Sequence, residues 1–314
     1  MQEQLPRGYD ARPMSPAELE RRLRSARNSR AWIGAVADFF TAHGLAFGHG
    51  TDNAGDEAHW LLRHLQGWRD ADFAAPPAAE LLPRALALAR RRAEERKPLA
   101  YLLGEAWFAG LRFVVDERVL VPRSPLAEVI ERGFAPWCAL RAGERILDIG
   151  TGSGCIAIAA AHHCSTAAVD ATDISPDALA VAARNVALHG LTERVQLFEA
   201  DLFPANERRY RVIVSNPPYV PEGEVSELPR EYRHEPAIGL ASGPTGFAAA
   251  ERILAGAADR LTPDGVLFIE LGAGGEAFAA AHARLPLIAL ELTRGGDGVL
   301  VTTAAEIREF LRMR

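Results

Sequence analysis

Two different hydrophobic periods divide this chain of 314 residues. From about Ser15 to Lys97, apolar positions recur every three to four residues without strand-like alternation, which predicts several short helices. From Arg145 onward, short β-branched runs alternate with amphipathic stretches of helical spacing. This alternation is typical of a mainly parallel sheet with helices on both faces. We therefore predict a helical domain followed by an α/β domain.

The individual elements follow from these two patterns. The predicted helices of the first part include AWIGAVADFFTAHG and DEAHWLLRHLQG, which end at Gly44 and Gly67, and AAELLPRALALARRRAEER. The predicted strands of the second part are RILDIG, AAVDATDI, RVQLFEA, YRVIVSN, GVLFIELG, LIALELT and GVLVTTA. A glycine-rich stretch at 295–298 joins the last two strands and has the composition of a hairpin turn, so the last strand is predicted to run antiparallel.

A change of period separates the two parts. Aromatic and β-branched residues flank Gly110 and predict a β-hairpin, and Pro122 and Pro125 close this segment. The predicted organisation is a helical substrate-recognition domain over 1–100, a β-hairpin linker over 101–125 and the α/β domain over 126–314.

The net charge of −6 is distributed unevenly. Residues 1–135 hold 19 basic and 18 acidic side chains, whereas residues 136–314 hold 16 basic and 23 acidic ones. Contacts to a nucleic-acid backbone are made by clustered positive charge, so the acidic second part argues against direct nucleic-acid binding. It would suit a basic protein partner better.

The cysteine and hydropathy patterns exclude other classes of protein. Three cysteines without a C-x-x-C pair argue against a disulfide framework and against a structural zinc site. The first 22 residues have no apolar core of a secretory signal, and no apolar run approaches the ~18 residues of a membrane span. We expect a cytoplasmic protein without a metal site.

The segment RILDIGTGSGCIAIAA places Gly150, Gly152 and Gly154 between a predicted strand and a predicted helix. Glycines there allow a tight turn and let a ligand contact the backbone. Asp173 ends the next strand, 19 residues after the last glycine, a spacing suited to a carboxylate that binds ribose hydroxyls. Asp201, followed by Leu202, ends a further strand and is placed to accept from an adenine amino group, with Leu202 covering the ring.

Two nucleoside cofactors compete for this motif. A dinucleotide fingerprint has the pattern G-x-G-x-x-G and a helix N-terminus that faces a pyrophosphate. Here Cys155 stands at the sixth position and the carboxylate of Asp148 precedes the loop. A carboxylate would repel a diphosphate but attract a cationic amino acid moiety. The pattern therefore favours S-adenosylmethionine.

The segment VIVSNPPYVPEG runs from a buried strand into Asn216, two prolines and Tyr219. Pro217 and Pro218 fix their own φ angles and restrict the preceding residue, so this loop is predicted to be stiff. The side-chain oxygen of Asn216 and a nearby main-chain carbonyl then form two fixed acceptors beside the Tyr219 ring. Two acceptors and a stacking face match a planar –NH₂ group.

This geometry suits methylation of an amide or aryl amino nitrogen. Such a nitrogen is a poor nucleophile because its lone pair is delocalised, and orientation by fixed acceptors can supply several kcal/mol, up to about 7 to 11. The nitrogen becomes acidic once it is methylated. We therefore expect no strong general base, with water or Asn216 relaying the proton.

With these motifs the chain resembles the class I S-adenosylmethionine-dependent methyltransferases, and among them the protein-glutamine methyltransferases of the translation machinery. The likeness covers nearly the whole chain and implies a Rossmann-like, seven-stranded, mainly parallel sheet with an antiparallel last strand and an N-terminal helical domain. One subfamily methylates peptide chain release factors, and its linker reads I-P-R-P-E-T-E. Here VLVPRSPLAEVI and RGGDGVLVTT resemble instead the subfamily that methylates ribosomal protein three of the large subunit.

The resemblance implies roles for the two motifs. The implied cofactor-binding residues are Asp148, Gly150, Thr151, Gly152, Gly154, Asp173, Asp201, Leu202 and Asn216. The implied catalytic and substrate-binding residues are Asn216, Pro217, Pro218 and Tyr219. Residues 234–246, HEPAIGLASGPTG, resemble a family segment near the substrate pocket. Methylation of release factors, methylation of an amino group on a nucleic-acid base, and a nicotinamide-dependent oxidoreductase stay open as alternatives.

Overall fold

The computed structural model describes residues 13–68 and 74–313. The chain divides into two compact units, Met1–Leu103 and Gly104–Arg314. Residues 1–12 and 69–73 of the predicted 1–100 domain lie outside the described residues. In the described part of the chain, no helix combines the length and the apolar character needed to cross a membrane.

The first unit is helical. Its helices are α1 (Pro16–Ser25), α2 (Ser29–Ala42), α3 (Ala54–Leu65), α4 (Leu82–Glu95) and α5 (Leu99–Leu103), with a short 3₁₀ helix at Ala79–Leu81. The side chains of Ser15, Asn28 and Asn53 accept hydrogen bonds from backbone N–H groups in the first turns of α1, α2 and α3, as N-caps do. The predicted helix over AWIGAVADFFTAHG is confirmed, and Gly44 follows it with φ +57°.

A buried ion pair lies among the apolar side chains of this unit. Arg92 on α4 is fully buried, and its Nε donates to Glu57 Oε1 of α3 at 2.5 Å. Burial raises the pKa of Glu57, and the charge of Arg92 opposes that shift. Removal of one partner would leave an uncompensated buried charge, which typically costs about 3 to 5 kcal/mol. The pair therefore ties α3 to α4.

The second unit contains a hairpin and a seven-stranded sheet. Its strands are β1 (Glu105–Phe108), β2 (Leu111–Val114), β3 (Arg145–Ile149), β4 (Ala168–Asp173), β5 (Val195–Glu199), β6 (Tyr210–Ser215), β7 (Leu261–Glu270), β8 (Ile288–Ala289) and β9 (Val299–Thr303). Its helices are α6 (Leu126–Glu131), α7 (Cys155–His163), α8 (Pro176–Leu188), α9 (Ala248–Arg260), α10 (Gly275–Ala281) and α11 (Ala304–Arg312).

The order of the strands in the large sheet is β5-β4-β3-β6-β7-β9-β8. Strands β3 to β7 all pair in parallel with one another, whereas β9 pairs antiparallel with β7, so the predicted antiparallel last strand is confirmed. The inner strands read as continuous apolar runs because helices cover both faces. The predicted strand LIALELT is reduced to Ile288–Ala289, both exposed at the sheet edge, where only one neighbour offers hydrogen bonds.

The predicted hairpin is confirmed as the antiparallel pair β1–β2, and it belongs to the second unit. Asn185 on α8 fixes its outer edge. This fully buried amide accepts from Val114 N at 2.7 Å and donates to Val114 O at 2.9 Å. It also donates to Ser153 O, in the turn after β3, at 2.9 Å. One side chain thus connects the hairpin, α8 and the glycine turn.

Candidate active site

The carboxyl ends of five neighbouring strands, β5, β4, β3, β6 and β7, border one cavity of about 570 Å³. In an open parallel sheet this edge is where ligands bind, and the volume lies within the range of small-molecule sites. The glycine turn after β3 and the Asn216–Tyr219 loop after β6 both line this cavity. The two sequence motifs therefore face the same space.

The turn after β3 needs glycine for its backbone conformation. Gly150 and Gly152 have φ angles of +72° and +54°, which L side chains rarely adopt. The N–H groups of Gly150 and Thr151 each donate to Thr172 O at 2.9 Å, which holds the turn against the end of β4. Gly150, Thr151 and Gly152 all line the cavity, so their backbone is accessible to a ligand.

Gly154 and Asp148 are not among the residues that line the cavity, although the resemblance implied that they bind the cofactor. A Cβ at Gly154 would lie 3.2 Å from Ala182 Cβ, so glycine is needed there for the packing of α7 on α8. Asp148 is fully buried, and its Oδ2 accepts from Thr151 Oγ1 at 2.6 Å and from Ala157 N at 3.1 Å. Its Oδ1 is buried and has no hydrogen-bond partner among the described residues.

Burial also sets the charge state of Asp148. It raises the pKa of this carboxyl to about 7, while the hydrogen bonds from Thr151 and Ala157 act in the opposite direction. Asp148 therefore stabilises the turn through its hydrogen bonds with Thr151 and Ala157, and it does not line the cavity.

Asp173 lies at the end of β4 with both oxygens engaged by the backbone. Its Oδ2 accepts from Gly152 N at 2.8 Å, and its Oδ1 accepts from Ser175 N at 2.9 Å. Ser175 caps α8, as the sequence indicated. Asp173 lines the cavity and retains further lone pairs that can accept from a ligand.

Asp201 and Leu202 follow β5 at the same end of the cavity. Asp201 pairs with Arg252 on α9 at 2.7 Å, and both side chains are more than half exposed. An ion pair as exposed as this is worth little, so a ligand can displace it at small cost. Leu202 has φ +70°, and its carbonyl oxygen accepts from Thr172 Oγ1 at 2.6 Å. This backbone strain marks the position as structurally constrained.

The Asn216–Tyr219 loop is held on two sides. At its start, Ser215 Oγ donates to Ile149 O of β3 at 2.8 Å. At its end, Val220 N donates to Leu240 O at 2.8 Å, and Ser242 N donates to Val220 O at 3.0 Å. Leu240 and Ser242 both belong to segment 234–246, which resembles a family segment near the substrate pocket. Residues 236 and 238–242 of that segment also line the cavity.

Asn216 and Tyr219 present different chemistry to the cavity. Among the described residues, no group forms a hydrogen bond with the Asn216 side-chain amide. The Tyr219 ring packs beside Gly272, where an added Cβ would lie 3.0 Å from the ring carbon Cε2. Burial, reinforced by the charge of Glu270, raises the pKa of Tyr219 to about 12, so the phenol is neutral. The loop offers an unengaged amide beside a neutral aromatic ring.

Four further polar residues lie at the cavity or beside it and were not predicted as site residues. Ser124 and Glu270 line the cavity, and the Ser124 hydroxyl donates to Glu270 Oε2. Arg123 also lines it, and Arg123 Nη2 donates to the buried Glu235 at 2.7 Å. Although burial disfavours its charge, the Glu235 carboxylate keeps the pKa of Arg123 above its usual value. An acidic residue that ends the apolar run GVLFIE was the available signal for Glu270.

Comparison with known proteins identifies a methyltransferase domain in this chain. Residues 136–229 match the family described as the methyltransferase small domain. The hMettl16 catalytic domain, solved in complex with the MAT2A 3'UTR hairpin 6, superimposes with a TM-score of 0.50 at 14% identity, over 77% of this chain and 92% of that chain. At this identity the likeness shows the fold alone, that of a methyltransferase.

Closer relatives cover most of the chain. The ribosomal protein uL3 glutamine methyltransferase of Bordetella pertussis is 47% identical over 270 residues, which is 84% of this chain and 90% of the relative. The protein of that name from Xanthomonas campestris is 45% identical over 278 residues, 87% of this chain and 89% of the relative. Identity at this level over nearly the whole length extends through both units, and the chain belongs to the family of the ribosomal protein uL3 glutamine methyltransferases.

Proposed function

We propose that this protein transfers a methyl group from S-adenosylmethionine to the side-chain amide nitrogen of a glutamine in ribosomal protein uL3. The observation that carries the proposal is the common cavity of the glycine turn and the Asn216–Tyr219 loop, with the Asn216 amide unengaged. The relatives named for uL3 support the choice of protein substrate. Such a reaction belongs in the cytoplasm, where ribosomal proteins are made.

The strand ends of β3, β4 and β5 fit an adenosine cofactor. The Asp173 carboxylate would accept hydrogen bonds from the ribose hydroxyls while Gly152 N and Ser175 N hold it in place. Asp201 would accept from the adenine amino group, and Leu202 would cover the ring. When bound, S-adenosylmethionine supplies an electrophilic methyl group on a sulfonium, and S-adenosylhomocysteine is the product.

Asp148 serves this half of the site without touching it. The negative charge of its buried carboxylate would favour a cationic amino acid moiety above the glycine turn, and its hydrogen bond to Thr151 Oγ1 fixes the side chain next to Gly150. Because the pKa of Asp148 is about 7, this support depends on pH.

The loop after β6 would position the glutamine. The Asn216 side-chain oxygen and the main-chain carbonyl of Pro217 would accept from the two N–H groups, and the Tyr219 ring would lie along the planar carboxamide. These acceptors also stabilise the positive charge that develops on the nitrogen as it is methylated. Pro217 and Pro218 keep the acceptors in place before substrate arrives, which lowers the entropy cost of orientation.

Isotope transfer tests the proposed substrate. Purified protein, labelled S-adenosylmethionine and unassembled uL3 should give label on one glutamine of uL3, located by mass spectrometry of peptides. A release factor and protein-free RNA and DNA serve as competing substrates, and the Asn216→Ala variant serves as the inactive control. Label on the release factor or the nucleic acid but not on uL3 would refute the proposal.

The helical unit is proposed to recognise the protein substrate. The alignment with the Bordetella pertussis relative is longer than the second unit, so it includes part of the helical unit. This shared part supports a role of the helical unit in the common function. Hydrogen–deuterium exchange of the full chain, with and without uL3, provides the test. Protection of amides within α1 to α4 is expected, and protection confined to the second unit would contradict this role.

A further inference from the structure

Glu270 lies next to Asn216 on the adjoining strand. Ser215 of β6 is in register with Ile269 of β7, so Asn216 and Glu270 are the next residues at the same level of two parallel strands. The strand order places β3 and β4 on one side of β6 and β7 on the other. Strand β6 therefore lies between Glu270 and the glycine turn, and Glu270 is on the side where the glutamine would lie.

One oxygen of this carboxyl is fixed and the other is unengaged. Ser124 Oγ accepts from Leu126 N at 3.1 Å, which leaves its proton for Glu270 Oε2. Glu270 is only 4% exposed, and its Oε1 accepts no hydrogen bond from any residue in 13–68 or 74–313. Because Glu270 lines the cavity, this oxygen can accept a hydrogen bond from a ligand bound there.

Several ionisable groups surround the carboxyl. Arg123 and Ser124 come from the segment before α6, Tyr219 follows β6, Cys155 begins α7, and Glu235 pairs with Arg123. Burial raises the pKa of Glu270 to about 7, against the hydrogen bond from Ser124 and the charge of Arg123. A general base works best when its pKa is near the working pH.

The other carboxyl groups near the turn and cavity are less suited. Asp148 is outside the cavity wall, and Asp173 and Asp201 lie at the cofactor end, after β4 and β5. Asp173 is occupied by two backbone N–H groups, and Asp201 by Arg252. Glu270 alone among these four lies beside Asn216 on the substrate side.

We propose that Glu270 accepts the proton that the glutamine nitrogen loses on methylation, and that Ser124 holds the accepting carboxylate in place. The inference rests on the proposed function. The amide nitrogen forms a bond to the methyl carbon, whose bond to sulfur breaks with the electron pair remaining on sulfur. As positive charge develops on the nitrogen in this step, one of its protons passes to the Glu270 carboxylate, which becomes a carboxylic acid, and the product is a neutral N-methyl carboxamide.

The pH profile of a single turnover tests this role. With saturating S-adenosylmethionine and uL3, the wild-type rate should rise to a plateau with a midpoint near pH 7, the pKa of Glu270. Glu270→Gln should lower the plateau by about 10²-fold, the lower end for general base catalysis, and should abolish the rise. Ser124→Ala removes a hydrogen bond that favours the ionised carboxyl, so its midpoint should lie at higher pH. Glu276→Gln, an exposed change on α10, should behave as wild type.

Two measurements that do not depend on activity accompany the profile. Affinity for S-adenosylhomocysteine, measured by calorimetry, should be the same in Glu270→Gln and wild type, which establishes an intact site. The carbon-13 resonance of the Glu270 carboxyl, assigned by its loss in Glu270→Gln, should titrate near pH 7. Titration near the ordinary value of 4.5 would overturn the proposal.

The outcomes separate the two proposals. If wild type methylates uL3 and Glu270→Gln retains the full rate, or is slower with an unchanged midpoint, the proton-accepting role is refuted while the proposed function stands. If wild type transfers no methyl group to uL3, both fail together.

Discussion

In the proposed function, Asp173 at the end of β4 binds the cofactor and Asn216 after β6 binds the glutamine, on either side of β3. Asp173 is held by two backbone N–H groups on the cofactor side, whereas the Asn216 amide is unengaged on the substrate side. Loss of a preorganised group that stabilises developing charge affects mainly the transition state. Loss of a carboxylate that binds a ground-state hydroxyl affects mainly affinity.

Asn216→Ala should therefore lower kcat by about 10²- to 10³-fold, a loss comparable to that of one preorganised oxyanion-hole donor. Its affinity for S-adenosylhomocysteine should change little. Asp173→Ala should show the reverse emphasis, with cofactor affinity reduced about 10- to 100-fold, since hydrogen bonds to charged groups contribute about 1.5 to 3 kcal/mol. Steady-state kinetics and calorimetry on both variants check the separation. Equal effects of the two variants on affinity would contradict it.

Glu270→Gln should change the pH dependence of stability. The folded-state pKa of Glu270 is about 7, above its ordinary value of 4.5, so between these values the folded protein binds more protons than the unfolded chain. Glu270 therefore destabilises the wild type increasingly as pH rises from 4.5 to about 7, and by a constant amount above that. The stability gain of Glu270→Gln should grow over this range to about 3 kcal/mol at most.

Urea unfolding of both proteins at several pH values measures this gain. The two curves should coincide in their pH trend below about pH 4.5 and diverge above it. A difference that is independent of pH would show that Glu270 is not the group that titrates.

Segment 234–246 is the element that contacts the loop after β6 and lines the cavity beside it. Its hydrogen bonds to Val220 and its approach to the Tyr219 carbonyl hold the loop after β6 in one conformation. Gly246 has φ +80°, and an added Cβ would lie 2.3 Å from Tyr219 O. Both the backbone angle and the contact exclude a side chain at this position.

Gly246→Ala should move the loop and lower kcat because the acceptors on Asn216 and Pro217 lose their alignment. It should also destabilise the fold by about 1 to 3 kcal/mol, the usual cost of local strain. Gly223→Ala is the matched control, since nothing lies within 4 Å of its added Cβ and its φ is not in the left-handed region. Thermal unfolding and kcat of both variants give the comparison, and a Gly246→Ala protein with wild-type kcat would refute the role.

At the scale of the whole molecule, charge is distributed unevenly along the chain. Residues 136–314 carry a net charge of −7, whereas residues 1–135 carry +1. A charge of one sign steers an oppositely charged partner during encounter, and salt screens this effect. The distribution therefore favours association with a basic protein.

Raising the ionic strength should increase the KM for uL3 several-fold between about 50 and 300 mM salt, because the Debye length falls below the separation of exposed charges. The kcat at saturating uL3 should stay constant, since salt should affect the encounter of the two proteins more than groups inside the cavity. Initial rates at several salt concentrations provide the measurement. A KM that is independent of salt would exclude electrostatic steering.

Local sequence determined the elements and the motifs. Apolar runs made β3, β6 and β7 buried strands, and Ser175 capped α8. The turn after β3 has positive φ angles, which glycine adopts readily because it has no Cβ. Parallel strands bring their carboxyl ends to one edge, so the meeting of the glycine turn with the Asn216–Tyr219 loop followed from alternation of strands and helices.

Only the tertiary structure decided which polar side chains share an environment. Ser124 and Glu270 are 146 positions apart, and their contact depends on how the segment before α6 crosses the end of β7. Likewise, Asp148 and Gly154 do not line the cavity, because Asp148 is fully buried and Gly154 packs against Ala182. The burial and the electrostatic environment of a residue depend on neighbours that are distant in sequence. The local pattern therefore determines the elements, whereas the pKa values and the unengaged oxygen of Glu270 arise only in the folded chain.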